Sequence, residues 1–378
     1  MKAPPLLPIA PSWYPGHMRR FFTRLPELLA QTHIVLEARD SRLPLTSINP
    51  EFEAALERWK QSRSNGLCER IVVYTKRDLV PKWGEEPLRK ALSKHFNHRI
   101  HFTAEGKPHT IRRLHSDIVS LVKDRADQSS AYNVLVIGMP NVGKSTLLNG
   151  LRWTNTTGAA KALRTSPLPG LTRTTSTPLK LHTDPLIYSV DTPGVMVPFL
   201  GRGEAGKERA MKLALAAGIK ESLFDTETMC SYLLHKLYLL NPKAPAYMSV
   251  IPSSAKPKTP EDFLESLATR LGALQKGGWP DLERAERWFV HWWRNGGAVD
   301  HPSPFGWGFD FDFTSRLGDE ARSPDKQEVE RLMAGVVDDY VQSLRSEDED
   351  KVSLRQEKKA AREAKIKVRM RRRANVAQ

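Results

Sequence analysis

At 378 residues the chain has room for one large domain or two of ordinary size. Its 40% hydrophobic and 27% charged residues are typical of a soluble globular protein, and its apolar runs are too short and too often interrupted by charge to span a bilayer. Two cysteines, Cys68 and Cys230, are too few for a disulfide framework or a zinc site and favour a reducing compartment.

The two ends of the chain differ in charge from the rest. Of the net charge of +15, residues 351–378 supply a surplus of nine, because they carry eleven Lys or Arg against two Glu. A basic tail on a modestly basic body favours a polyanionic partner, most simply nucleic acid, and a solvated tail is the alternative. Residues 1–26 lack Asp and Glu, which is compatible with a targeting segment, although the Ser-rich amphipathic pattern of a mitochondrial presequence is missing.

Short β-branched runs alternate with helical patterns through the first 200 residues. Amphipathic helical patterns cover 49–62, 84–96 and 110–123. A run at 177–183 alternates in polarity and predicts an antiparallel edge strand. Five other runs end in polar or glycine-containing loops, as buried parallel strands do: 33–40, 70–78, 98–106, 132–138 and 185–191. The alternation predicts a doubly wound, mostly parallel α/β sheet.

Beyond the last strand the chain is predicted to be helical. Helical patterns cover 207–224 and 225–241, and the stretch 241–260, rich in Pro, Lys and Ser, predicts an interdomain connection. A further helix is predicted over 280–297, with Asp281 as its N-cap and glycine at its end. Core packing is favoured over base stacking for one stripe of this helix: Leu282, Ala285, Trp288, Phe289 and Trp292.

These patterns divide the chain into four predicted parts. An N-terminal segment precedes the α/β domain, a helical domain follows it, and a charged basic tail ends the chain. Their expected bounds are 1–26, 27–240, 241–345 and 346–378.

The stretch Gly138–Ser145, GMPNVGKS, fits the pattern G-x-x-x-x-G-K-[ST] in full. It follows an apolar strand and precedes a helix start, the context that a phosphate-binding loop requires, so a chance glycine-rich turn is disfavoured. Lys144 would reach the β- and γ-phosphates and Ser145 would bind Mg²⁺, while backbone N–H groups surround phosphate oxygens. The predicted nucleotide contacts in this loop are Asn141, Val142, Gly143, Lys144, Ser145 and Thr146.

The sequence DTPG at 191–194 ends another buried run. Asp191 is predicted to be the carboxylate behind the magnesium ion, and Gly194 the backbone that senses the γ-phosphate. The segment 164–175 is polar and rich in Pro and Gly, as a mobile switch loop would be. Thr172 is its predicted Mg²⁺ ligand, with its neighbouring threonines as alternatives.

The sequence YTKRDL, which contains Thr75, Lys76 and Asp78, predicts recognition of a guanine base. The Asp78 carboxylate can accept hydrogen bonds from guanine N1–H and the 2-amino group, whereas adenine offers neither donor. Sites that pair buried polar groups reject analogues lacking the partner by about 10⁴ or more. Lys76 would lie against the base and the phosphate loop, and the TAEG loop, at Thr103 and Ala104, would offer the Ala104 N–H to guanine O6. The predicted substrate is therefore GTP, and GDP the product.

The order of these motifs is unusual. In a Ras-like chain the phosphate loop comes first, but here the base motif and the TAEG loop precede it. Because domain termini often lie close together, the same sheet can be cut and rejoined. The order predicts a circularly permuted Ras-like P-loop GTPase domain.

The ordered motifs resemble those of the circularly permuted ribosome-assembly GTPases of the YlqF/RbgA type, and most closely their mitochondrial ribosome-associated counterparts. The similarity covers roughly residues 12–310 and rests on WYPGHM, EARDSRLPLTSINP, TKRDL, GMPNVGKSTLLN, PLPGLT, DTPGV and LALAAGIKESL. The resemblance implies a GTPase that binds the large ribosomal subunit late in its maturation, with a helical C-terminal domain in contact with rRNA. It also implies a mitochondrial location, in the matrix or peripheral at the inner membrane, with the cytoplasm as the alternative.

Two positions depart from the Ras-like pattern. Thr75 replaces the usual Asn of N-K-x-D, which is expected to remove an amide that ties loops together and to lower nucleotide affinity. Val195 stands where Ras-like enzymes have the catalytic glutamine, although a hydrophobic residue there fits the resembled family. The resemblance offers His17 as a candidate catalytic group beside Lys144 and Gly194, with a structural role as the equal alternative. It also implicates Asn141 in binding K⁺.

The whole pattern predicts Mg²⁺-dependent hydrolysis of GTP, slow in the isolated protein and stimulated by a ribosomal particle. One alternative is a non-enzymatic, rRNA-binding assembly factor that holds GTP as a structural plug. A second is a P-loop ATPase or kinase, for which the TKRD and TAEG matches would be coincidental.

Overall fold

The computed structural model describes residues 2–9, 14–62, 66–124, 129–154, 178–196, 200–201, 203–318 and 322–344. Six strands form one sheet in the order β3-β2-β1-β4-β6-β5, parallel except that β5 runs antiparallel to β6 at the edge. They are β1 (Ile34–Asp40), β2 (Glu69–Thr75), β3 (Arg99–Phe102), β4 (Tyr132–Gly138), β5 (Leu179–His182) and β6 (Ile187–Asp191). The predicted α/β class and the antiparallel edge strand are confirmed.

The helices follow the predicted alternation. In the first part of the chain they are α1 (Gly16–Ala30), α2 (Pro50–Ser62), α3 (Glu85–Ser93), α4 (Pro108–Lys123) and α5 (Lys144–Trp153). After the sheet come α6 (Gly203–Leu215), α7 (Thr226–Leu240), α8 (Pro260–Leu271), α9 (Leu282–Arg294), the short α10 (Thr314–Leu317) and α11, over 326–344. A small antiparallel pair, β7 (Gly306–Trp307) and β8 (Phe311–Asp312), lies between α9 and α10. None of the described helices is both long and apolar enough to cross a membrane.

Local capping explains where several of these helices begin. The Asp225 carboxylate accepts hydrogen bonds from the first turn of α7, and Thr259 and Asp262 form a capping box at α8. Asp281, the predicted N-cap, accepts from the Arg284 N–H at 3.1 Å and starts α9. Each cap satisfies donors that the first helical turn leaves unpaired.

Alternate residues of the central strands face opposite layers. On β1, Ile34 and Leu36 pack against α4 and α5, whereas Val35 packs into the core formed with α1, α2 and α6–α9. The second core on that face lies over β2, where α3, the β7–β8 pair and α11 meet. Both faces of the sheet are therefore covered, as near-continuous apolar strands require.

The segments after residue 241 share their hydrophobic packing with the sheet. Phe263 of α8 and Phe289 of α9 belong to the same core as Val35 and Ile137. Met333 of α11 belongs to the core over β2. The boundary predicted at residue 241 thus lies between segments that pack together.

The stripe predicted on α9 is only partly buried. Ala285 and Phe289 are fully buried, but Trp288 is 38% exposed and Trp293 is buried instead. Residues 285, 289 and 293 are spaced four apart and mark the centre of the buried face, so Trp288 falls at its edge. Core packing was correct for Ala285 and Phe289 and wrong for Trp288.

The sheet order confirms the circular permutation. The phosphate loop follows β4, which lies between β1 and β6 in the middle of the sheet. A chain that began at β4 would place β5 and β6 on one side of it and then β1, β2 and β3 on the other. The observed chain instead begins with the second set, so the base motif comes before the phosphate loop.

Candidate nucleotide-binding site

The predicted motifs meet at one edge of the sheet. The base motif follows β2, the TAEG loop follows β3, the phosphate loop follows β4, and DTPG follows β6. These strands are parallel, so all four loops leave at their carboxyl ends. The chain leaves β1 and β4 toward opposite sides of the sheet, and such a switch point is where doubly wound sheets bind ligands.

The phosphate loop has the backbone of an anion site. Asn141 and Gly143 have φ values of 56° and 90°, in the left-handed region, so the chain turns sharply before α5 begins at Lys144. Such a turn directs successive N–H groups toward a common centre at a helix N-terminus. The Lys144 side chain is 6% exposed, and its Nζ donates to the Met139 carbonyl at 2.8 Å. It therefore folds back over the loop.

Burial makes the charge of Lys144 costly without an anion. It lowers the pKa of Lys144 to about 8, against the opposing effect of Asp191, and the neighbouring charge of Lys76 lowers it further. Lys76 itself has a pKa lowered to about 8, chiefly by burial. A polyphosphate would reverse both shifts, because its negative charge favours the protonated amines.

A hard oxygen donor set lies beside the loop. The Ser145 hydroxyl donates to Asp191 Oδ2 at 2.7 Å, and Asp191 Oδ1 accepts from the Thr192 N–H at 3.0 Å. Burial raises the pKa of Asp191, while Lys144 and the hydrogen bond from Ser145 oppose this shift. The donor set fits Mg²⁺, which commonly takes one or two protein oxygens and completes its shell with phosphates and water. Thr172, the predicted switch ligand, lies outside the described residues.

A metal held by protein carboxylates and histidines alone is a different kind of site. Among the described residues, no group of three or more His, Cys, Asp or Glu side chains could hold a metal ion. The Ser145–Asp191 pair is not such a group, since it relies on nucleotide oxygens for the remaining ligands.

The DTPG turn is packed directly on the phosphate loop. A Cβ at Gly194 would lie 2.5 Å from the Pro140 Cα and 3.0 Å from the Lys144 Nζ, so glycine is required there. The Val195 N–H donates to the Gly138 carbonyl at 3.2 Å, and the Val195 side chain is fully buried. The backbone of this turn is therefore held against the phosphate loop. The buried Val195 side chain cannot orient a water molecule.

Thr75 ties the base motif to the phosphate loop. Its hydroxyl contacts the Val142 carbonyl and lies 3.0 Å from the Arg39 carbonyl. Thr75 lacks the amide of the usual Asn, but its shorter hydroxyl reaches a carbonyl of the phosphate loop directly. The guanine affinity expected to suffer from this replacement stays a prediction.

Lys76 and Asp78 of the base motif differ in their hydrogen bonding. The Lys76 Nζ donates to the Asn141 carbonyl in the phosphate loop and to Asp40 Oδ2 at 3.0 Å. Asp78 Oδ1 is buried and has no hydrogen-bond partner in the described parts of the chain. Buried acceptors are normally paired, so this oxygen could accept from a donor that a ligand brings. Guanine N1–H and the 2-amino group are such donors.

The TAEG loop is organised by backbone hydrogen bonds. The Thr103 carbonyl accepts from the Arg77 N–H at 3.1 Å, which joins this loop to the base motif. The Ala104 N–H, predicted to contact guanine O6, instead donates to the Thr110 hydroxyl at 3.3 Å. This bond is long for an N–H···O contact, so a base oxygen could replace it at little cost.

His17 and Asn141 lie beside different neighbouring segments. His17 is half-buried in the first turn of α1, and its neighbour Met18 accepts a hydrogen bond at Sδ from the Met196 N–H at 3.4 Å. The start of α1 therefore lies beside the residues that follow Gly194. The Asn141 Nδ2 donates to the Ala216 carbonyl at 3.4 Å, toward the segment after α6.

Sequence reasoning missed two residues behind the site. Asp40 is 2% exposed and binds both Lys76 and Arg42, and the Asn49 side-chain amide donates to the Val195 carbonyl at 3.1 Å. Burial acts to raise the pKa of Asp40, but Arg42 and Lys76 together overcome it and hold this pKa well below its ordinary value. Asp40 is the last residue of β1, and Asn49 lies in the polar stretch that follows it. A polar loop at the carboxyl end of a central strand was the available signal.

Comparison with known proteins places these observations in a family. The 50S ribosome-binding GTPase family matches residues 133–236. The chain is 31% identical over 287 residues to mitochondrial GTPase 1 of Schizosaccharomyces japonicus, which spans 71% of this chain and 82% of that protein. It is 30% identical over 269 residues to mitochondrial ribosome-associated GTPase 1 of Xenopus tropicalis, and this alignment covers 70% of this chain and 81% of that protein. GNP-bound YlqF from T. maritima aligns in structure over 73% of this chain and 94% of its own, with a TM-score of 0.45 and 20% identity.

Proposed function

The chain belongs to the family of the mitochondrial ribosome-associated GTPases, and on that premise we propose that it hydrolyses GTP with Mg²⁺ during late maturation of the large ribosomal subunit. The observation that carries the proposal is the meeting of four loops at one sheet edge. These loops carry the buried Lys144, the Ser145 hydroxyl paired with the Asp191 carboxylate, and a buried Asp78 oxygen that has no partner in the described parts of the chain.

The residues of the phosphate side have distinct roles in this proposal. Lys144 binds the β- and γ-phosphates, and the N–H groups of the loop, through Thr146, hold the remaining phosphate oxygens. Ser145 and Asp191 would hold Mg²⁺, which supplies charge neutralisation at the transferred phosphoryl group. The Gly194 N–H faces the γ-phosphate. Together these groups stabilise the charge that develops in the transition state without a covalent step.

Water activation needs a group other than Val195, whose side chain is fully buried. His17 is the proposed candidate, because α1 begins beside the turn that follows Gly194. Asn141 is the proposed K⁺ ligand: its Nδ2 is engaged by the Ala216 carbonyl, so Oδ1 is the amide atom that can face a cation. Slow turnover that a ribosomal particle stimulates is expected from this arrangement.

Base selection rests on the other side of the cleft. Asp78 accepts from the guanine N1–H and 2-amino group, Lys76 lies along the base, and the Ala104 N–H donates to O6. Thr75 keeps these groups in register with the phosphate loop. An adenine nucleotide would leave the Asp78 carboxylate without its donors.

The proposed partner is the large ribosomal subunit and its rRNA, which residues 241–345 and the basic tail would contact. Phosphate contacts from the tail would be largely independent of sequence and sensitive to salt. The proposed location is the mitochondrion, as the relatives' names indicate, with the matrix and the inner-membrane surface as alternatives and residues 1–26 as a targeting segment.

A second candidate function is favoured by the burial of Val195: a GTP-bound assembly factor that does not hydrolyse. Turnover of GTP and ATP, in K⁺ and Na⁺ buffers, with and without large-subunit particles, separates the two. The proposal predicts K⁺-dependent, particle-stimulated GTP hydrolysis that Lys144→Ala abolishes. Tight GTP binding without turnover under every condition would support the non-hydrolysing assembly factor. Equal hydrolysis of ATP and GTP would contradict guanine selection.

A further inference from the structure

The residues between β1 and α2, which we name the connector segment (residues 41–49), are buried without exception. They form turns rather than a helix or strand, and they include charged and polar side chains such as Arg42 and Asn49. Irregular segments normally lie on the surface, because buried N–H and C=O groups need partners. The partners of this segment come from two distant parts of the molecule.

One set of partners lies near residue 310, at the end of the β7–β8 turn. The Asp310 carboxylate accepts hydrogen bonds from the Leu45 and Thr46 N–H groups, both at 2.8 Å, and from the Thr46 hydroxyl at 2.6 Å. Lys212 of α6 pairs with the same carboxylate at 3.2 Å. A buried carboxylate with these donors fixes the middle of the connector segment to the C-terminal part of the chain.

Arg42 strengthens the same attachment. Its carbonyl accepts from the Phe309 N–H at 2.8 Å, and its guanidinium lies 5.0 Å from the centre of the Trp293 ring on α9. The guanidinium also binds Asp40 through Nε and Nη2, at 3.0 and 2.7 Å. The first half of the connector segment is therefore held between α9 and the carboxylate that positions Lys76.

The other set of partners lies at the nucleotide site. The Asn49 Nδ2 donates to the Val195 carbonyl at 3.1 Å, and the Val195 N–H donates to the Gly138 carbonyl at 3.2 Å. Asn49 is thus one hydrogen bond from the turn whose Gly194 faces the γ-phosphate in the proposed function. At the same time its Oδ1 accepts from the Glu51 N–H at 3.0 Å and caps α2.

We propose that Asn49 is a positioning residue for the Gly194–Val195 turn, and that the connector segment couples this turn to Asp310 and the C-terminal region. The inference rests on the proposed function, since it names the residues through which a bound γ-phosphate is sensed beyond the cleft. A shift of the turn toward a γ-phosphate moves the Val195 carbonyl, and Asn49 passes the shift to residues 45 and 46. GDP has no γ-phosphate, so its binding does not shift the turn or the connector segment.

The test is the ratio of affinities for the GTP analogue GMPPNP and for GDP, measured with the full-length protein. Asn49→Asp keeps an oxygen to cap α2 but removes the donor to Val195. We expect it to lower the ratio by about three- to tenfold, the effect of one net hydrogen bond, with GDP affinity nearly unchanged. Thr46→Val, at the far end of the segment, is expected to lower it about two- to fivefold, although Thr46 does not touch the site.

Two controls make the result specific. Thr46→Ser keeps the hydroxyl and should leave the ratio at the wild-type value. In the double variant Asn49→Asp with Thr46→Val, the combined change should be smaller than the product of the single changes, because both act through one segment. Thermal unfolding of the GDP-bound proteins checks folding. If Asn49→Asp does not fold, the comparison of Thr46→Val with Thr46→Ser tests the proposal by itself.

The outcomes separate the two levels of the proposal. A wild-type protein that binds neither nucleotide would refute the proposed function. A wild type that binds both, with an unchanged ratio in Asn49→Asp or in Thr46→Val, would overturn the inference and leave the proposed function standing. Equal losses of GDP and GMPPNP affinity would also overturn it, since they would show a purely structural role.

Discussion

The phosphate loop and the connector segment follow adjacent strands, β4 and β1, and both are polar and irregular. In the phosphate loop, left-handed turns at Asn141 and Gly143 direct polar groups into the cleft. In the connector segment, polar groups such as those of Arg42 and Asn49 are paired with the protein itself. The difference teaches that one loop at this sheet edge can contact the ligand directly, while a neighbouring loop acts by positioning the loops that do.

The largest effect is expected on the ligand side of this comparison, at the base. Asp78→Asn should lower GTP affinity by about 10² to 10⁴, because two hydrogen bonds to an ionised carboxylate are lost. The new amide can donate to the C2 carbonyl of xanthine, so affinity for XTP should rise in the same variant. Competition binding of GTP, XTP and ATP measures both changes.

Asp124→Asn is the matched control, since Asp124 is exposed just after α4, at the opposite edge of the sheet. It should keep the wild-type preference for GTP. A GTP affinity in Asp78→Asn within a few fold of wild type would remove Asp78 from the base site.

Loss of the phosphate-loop lysine should come next in size. Lys144→Ala is expected to lower GTP affinity and turnover by about 10² to 10³, the loss seen when one preorganised donor to a reacting group is removed. The nucleotide-free protein should stay as stable as wild type or become more stable, because a buried charge is removed. Calorimetric titration and thermal unfolding, with the exposed Lys123→Ala as control, check the two parts. Weaker binding accompanied by lower stability would indicate a folding defect instead.

The lowered lysine pKa predicts a pH dependence of about tenfold. With a pKa of about 8, Lys144 is charged below pH 8 and neutral above it in the nucleotide-free protein. Phosphates bind the charged form, so GTP affinity should fall about tenfold between pH 7 and pH 9, and Lys76 should steepen the fall. Titrations across this range test it. Lys144→Arg should lose the Lys144 part of the slope, and a flat wild-type profile would contradict the assignment.

The smallest effect on nucleotide binding is expected from the connector segment's ion pair. Arg42→Lys keeps a positive charge but loses the paired contacts to Asp40 and the packing on Trp293. We expect the free energy of unfolding to fall by about 1–3 kcal/mol, with nucleotide affinity changed less than about threefold. Denaturant unfolding with Arg58→Lys, an exposed position, as control would show this. If nucleotide affinity in Arg42→Lys falls as far as in Lys144→Ala, the connector segment does not differ from the phosphate loop in its effect on the ligand, and the comparison is contradicted.

The sequence allowed the sheet, its permutation and the phosphate loop to be predicted because their signals are local. Gly143, Lys144 and Ser145 stand at fixed spacing between a strand and a helix, and each has a role in a short turn. The contact of Thr75 was not predicted, because its hydroxyl acts on Val142, 67 residues away. That distance is set by the fold and not by any spacing within the motif.

Asn49 and Asp40 escaped prediction for a related reason. Their partners, Val195 and Lys76, are remote in sequence, and only the meeting of β1, β2, β4 and β6 brings them together. Trp288 was placed in the core because a stripe on a helix has no sharp edge in sequence. Packing of α9 against its neighbours decides which residues of the stripe are buried.

Competition between GTP and ATP for the wild-type site is the most direct test of the account. A fluorescent GTP is bound in the presence of Mg²⁺ at pH 7 and displaced by each unlabelled nucleotide in turn. Displacement by ATP is predicted to require about 10⁴ times more nucleotide than displacement by GTP, because adenine leaves Asp78 unpaired. Equal displacement by the two nucleotides would contradict the guanine site and, with it, the role given to the loops that surround it.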